Sequence, residues 1–209
     1  MEKRKIAYLL LSVVCTILIV YALANNYVLD PGREHFLSSK TGLQRELNVS
    51  VWLKVMYIHV AFACLAMASG LLNFSKHTLD SHRKLHRVNG YIYLFSVLIV
   101  LLTSGYMAPY ATGNQISSIG FNVLNLTWLF TTITAFVHIK RKRITLHRAW
   151  MVRSYAFCFN NMLIHLFTAI LHDGFGLGYT SSYTIGIYGS IATIVTVPTL
   201  INRRQRFQK

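Results

Sequence analysis

Two histidines lie inside long apolar runs of this 209-residue sequence, His59 in the second such run and His165 in the fifth. An ionisable side chain there is costly in lipid and ordinarily faces other helices or water. Spacing extends the pattern: His59 to His77 and His147 to His165 are each 18 residues. That is five full turns, so each pair projects from one face if its helix is continuous. Paired imidazoles from facing helices are how bundles hold haem iron. His59 with His165, and His86 with His147, are therefore candidate ligands of a haem b in an electron carrier, with Arg87, Arg148 and Arg153 placed for its propionates. A separation of roughly 27 Å along each helix is long for two haems in one bilayer. The plainer role for His59 and His165 is an interhelical hydrogen bond. His77, His82, His86, His138 and His147 stand among Lys and Arg, where headgroup contact or helix capping is the plainer role.

Asn125 and Asn161 also fall inside apolar runs and suit interhelical hydrogen bonding. That is the plainer role, and with His59 and His165 they are alternatively candidates to line a polar intramembrane cavity. A quinone or a small anionic ligand fits such a cavity, in a non-catalytic transport, binding or assembly protein. Gly70, Gly90, Gly105 and Ser69 read as close-packing positions. Tyr106, Tyr110, Trp128, Tyr179 and Tyr183 read as interfacial aromatics. There is no GxxxxGK[ST] phosphate loop, HExxH pair or GxSxG elbow. No catalytic residue is named by the sequence, and beyond haem iron no metal is suggested.

The elements that must position these residues are set by composition. Only 13% of residues are charged and six are acidic, too few for a soluble shell. A membrane-spanning helix needs about 20 apolar residues and must satisfy its own backbone. Six runs qualify, at about 6–24, 51–74, 89–108, 119–139, 150–171 and 183–201. The expected fold is all-α: one polytopic six-helix transmembrane domain over 1–209. Seventeen of the 21 basic residues then fall on one side, which places both termini in the cytoplasm of a cell membrane. The net charge of +15 follows from these flanks and gives no nucleic-acid face. Lys3-Arg4-Lys5, an apolar run and Ala22-Leu23-Ala24 resemble a signal peptide. The run is long for one, and we read it as an uncleaved first helix.

With this topology His59 and His165 each lie roughly 10 Å below the same outer boundary, so convergence in the interior is expected. An internal repeat is also admitted. His77 and Leu85-His86-Arg87 recur as His138 and Leu146-His147-Arg148 at a constant offset of 61 residues, which would make the second–third and fourth–fifth helix pairs related hairpins.

The stretches LHRVNGYIYLF at 85–95 and LHRAWMVRSYAF at 146–157 resemble the bacterial predicted-membrane-protein family called domain-of-unknown-function family 2306. Its pattern pairs an LHRxxGxxY block with an HRxWMxRSYA block, over the second to fifth helices. The resemblance implies a bacterial multi-pass protein whose function is open. It also implies Arg in many relatives at the position of His165, and Arg cannot replace imidazole on iron. A cavity for an anionic or quinone-like ligand would accept either.

Overall fold

A computed structural model of the chain describes residues 2–32, 34–38 and 46–207. Among these residues there are helices and turns and no strand. The main helices are α1 (Glu2–Ala24), α3 (Val49–Phe74), α5 (Arg83–Met107), α6 (Asn114–Lys140), α7 (Ile144–Ala156), α8 (Asn160–Ala169) and α9 (Tyr179–Phe207), with short helices α2 (Glu34–Ser38) and α4 (Lys76–Ser81) between them. Six stretches are long and apolar enough to cross a membrane: Lys5–Leu29, Val49–Phe74, Arg83–Tyr110, Asn114–Lys140, Ile144–Gly174 and Tyr179–Arg203. The fifth is composite. α7 passes through a 3-10 turn at Phe157–Phe159 into α8, which ends in a π turn at Ile170–Gly174.

Several spans start earlier than hydropathy predicts. The third begins at Arg83 rather than Asn89, and the fifth at Ile144 rather than Trp150. Both extensions are polar and basic, and a helix satisfies its backbone there whether or not the side chains are apolar.

The chain forms two compact units, residues 1–38 with 48–103 and residues 39–47 with 104–209. In the first, α1 packs on α3, and Tyr8 Oη donates to the Leu71 carbonyl at 3.4 Å. α3 starts at Asn48, whose side chain accepts from the Val51 amide at 3.2 Å, an ordinary N-cap. It ends at Ser75, in extended conformation at ψ 126°.

In the second unit α6 packs on α7, and α8 on α9. The α6–α7 turn is a Schellman closure: the Arg143 amide donates to the His138 carbonyl at 2.9 Å while Lys142 sits left-handed at φ 57°. At the other end of α6, Gly113 has φ 91°. A Cβ there would fall 2.3 Å from both Ser117 Oγ and Thr184 Oγ1, which hydrogen-bond each other at 2.9 Å. Only glycine fits. Ile164, Tyr183 and Ile187 form a buried cluster between α8 and α9, with Phe121 and Ile191 against it. Tyr183, expected at the interface, is thus a core residue.

Candidate functional site

In the first unit His59 is held by α5. Its Nδ1 lies 2.9 Å from Thr103 Oγ1, and that hydroxyl donates to the Ile99 carbonyl at 2.7 Å. With its proton so used, Thr103 accepts, His59 Nδ1 carries the hydrogen and Nε2 carries the lone pair. Toward the other end of the hairpin, buried Asn89 donates to the Ser69 carbonyl at 2.6 Å. One end of the Asn73 carboxamide lies 3.1 Å from Asn89 Nδ2 and 3.3 Å from His86 Nδ1. His86 therefore opens α5 facing the last turn of α3. Arg87 is exposed.

The second unit repeats that gesture. His147 opens α7 and its Nδ1 donates to the Ala135 carbonyl of α6 at 2.9 Å. A carbonyl only accepts, so again Nδ1 is protonated and Nε2 is not. Arg148 is exposed. Arg153 lies 4.8 Å over the Trp150 ring and donates to the Ala149 carbonyl at 3.2 Å.

From His147 inward, one stripe of α6 is matched to the fifth span contact by contact. Ala135 receives His147, Thr132 Oγ1 meets Ser154 Oγ at 2.7 Å, and Trp128 stacks on Phe157 with centroids 5.8 Å apart and planes 12° from parallel. These α6 residues are three or four apart and share a face. Phe157 is where the fifth span turns 3-10. Here the polar matching stops. The indole Nε1 of Trp128 and, one turn further along, the amide Nδ2 of Asn125 are buried without a hydrogen-bond partner among the described residues. Trp128, 5% exposed and halfway along α6, is not an interfacial aromatic as its type suggested. Beyond the break, Asn160 is engaged by Ser190 of α9, which donates to its Oδ1 at 2.9 Å. Asn161 and His165, one turn apart on α8, are both exposed.

Two further expectations are corrected. His59 and His77 do not share a helix, because Ser75 ends α3 and His77 belongs to α4. His147 and His165 lie on different helices, and a 3-10 turn advances about 120° per residue against 100° for an α-helix, which shifts the five-turn register. Gly105 has nothing within 4 Å of where a Cβ would stand, so close packing does not account for it. Among the described residues no group of three or more His, Cys, Asp and Glu is placed to hold a metal ion.

Six long apolar helices and a charge-poor interior define a multi-pass membrane protein. Residues 56–202 match the family described as Predicted membrane protein (DUF2306), and the chain belongs to that family. No curated protein and no solved structure matches it.

Proposed function

We propose that this protein binds, within the membrane, an apolar molecule carrying an accepting oxygen, of the quinone class, against α6 beside the break in the fifth span. The observation that carries the reading is the pair of buried donors, Trp128 Nε1 and Asn125 Nδ2, which have no acceptor among the described residues. Each unmet donor costs roughly 1–3 kcal/mol, and both are recovered by one ligand carbonyl or two. Trp128 and Phe157 supply the flat wall that an aromatic or quinonoid ring needs. The role read from this arrangement is binding or transport. The bias of basic residues supports a bacterial cell membrane with both termini cytoplasmic.

A second reading, electron transfer through haem b with His59 or His147 among its ligands, draws support from tautomers. Imidazoles that ligate metals through Nε2 donate Nδ1–H to an oxygen, as His59 and His147 do. Solvent extraction of detergent-purified protein with mass spectrometry, beside a reduced-minus-oxidised visible spectrum, separates the two. A co-purifying quinone-like molecule without haem bands supports the first reading. Haem bands that disappear in His59→Ala support the second.

A further inference from the structure

We propose that the first unit carries a site for one anionic phospholipid, with an acyl chain lying between α3 and α5 and the headgroup on Lys84. An apolar groove of about 540 Å³ is lined by Phe62 and Leu65 of α3 and by Val88, Tyr91, Ile92 and Phe95 of α5. It shares no residue with the Trp128 site and does not depend on it.

The residues on α5 recur at helical spacing, so they form one stripe. Lys84 is one turn before Val88 on that stripe and Arg87 one turn before Tyr91, and both cations are exposed. The groove is therefore apolar along its length and positively charged at one end. At the other end Phe62 and Phe95 pack edge to face with centroids 5.8 Å apart. From Lys84 to Phe95 is about 16 Å at 1.5 Å per residue, against roughly 15 Å for half the hydrocarbon core. Lys84 and the groove together thus span about the depth of one leaflet, from headgroup level toward the midplane. A free anion would use the cations and leave the apolar stripe uncovered. A zwitterionic lipid would fill the groove and bring its own cation to Lys84 and Arg87. An anionic headgroup with an attached chain satisfies both ends.

The test is retention of added dioleoyl-phosphatidylglycerol and dioleoyl-phosphatidylcholine by the detergent-purified chain, read by native mass spectrometry. The anionic lipid should be retained about fivefold better, which is the attraction expected of one basic residue at a membrane surface. Lys84→Gln should abolish that preference. Val88→Trp, which fills the groove, should lower retention of both lipids. These side chains are exposed, and an unchanged thermal transition reports that each variant is folded. Independently, the indole of Tyr91→Trp should be quenched more by an acyl-brominated phosphatidylglycerol than by the phosphatidylcholine. Equal retention of the two lipids, or a preference that survives both Lys84→Gln and Val88→Trp, would overturn the site.

Discussion

Trp128 and Phe157 lie ring over ring, their planes 12° from parallel, at the point where the fifth span turns from α-helix to 3-10. On one side of this stack Thr132 and Ala135 of α6 are answered by Ser154 and His147 of α7. On the other, Trp128 Nε1 and Asn125 Nδ2 are buried without a hydrogen-bond partner among the described residues. The break and the loss of partners coincide because a 3-10 turn rotates and narrows the helix that had been supplying them. Breaks of this kind in membrane helices persist where protein or a ligand satisfies what the regular helix no longer does.

Trp128→Phe should keep the stack and remove the unmet N–H. Thermal stability of ligand-free protein in detergent should be unchanged or higher, since the cost of a buried unsatisfied donor is removed. Trp128→Ala should instead cost about 3–5 kcal/mol through the cavity it leaves. Equal losses in the two variants would mean that the N–H has a partner.

His147→Ala removes a bond from α7 to the Ala135 carbonyl. The hairpin should lose about 1 kcal/mol, measured as a lowered midpoint of thermal unfolding in detergent. Arg148→Ala, exposed at the same helix start, should change stability little. A larger loss from Arg148→Ala would assign the hairpin's stability to charge.

Lys142 occupies the left-handed position of the Schellman turn at φ 57°, where a Cβ is strained. Lys142→Gly should raise stability by up to about 1 kcal/mol, and Lys142→Val should lower it by more than that. Destabilisation by glycine would place Lys142 in another conformation.

Gly113→Ala puts a methyl 2.3 Å from two hydroxyls at positive φ. The loss should exceed about 2 kcal/mol, whereas Ser117→Ala should cost about 1. A folded Gly113→Ala protein with an unchanged midpoint would show that the α6 start can shift.

Much of the architecture was legible because lipid leaves a chain few choices. The six apolar runs locate the six candidate spans, each within a turn or two of its observed ends. What hydropathy missed were helix starts such as Arg83–Val88, where four basic or histidine side chains lower the hydropathy while the backbone is helical. The site was legible only in part. Asn125 was visible as an asparagine in an apolar run, and His86 and His147 as paired LHR blocks. Trp128 was not, since tryptophan belongs both at interfaces and in cores, and burial decides between them. Thr103 was hidden as well, because a threonine in an apolar run usually bonds its own backbone, as this one also does. The five-turn histidine spacing failed because it assumed continuous helices, and Ser75 and Phe157–Phe159 interrupt both.

The most direct test uses the one indole at the site. With Trp52→Phe and Trp150→Phe, Trp128 is the remaining tryptophan, and its fluorescence is titrated with decylubiquinone in detergent. Saturable quenching is expected, with affinity about tenfold weaker when Asn125→Leu removes the second donor, the worth of one buried hydrogen bond. Quenching that rises linearly without saturation, or a saturable curve unmoved by Asn125→Leu, would contradict the proposed site.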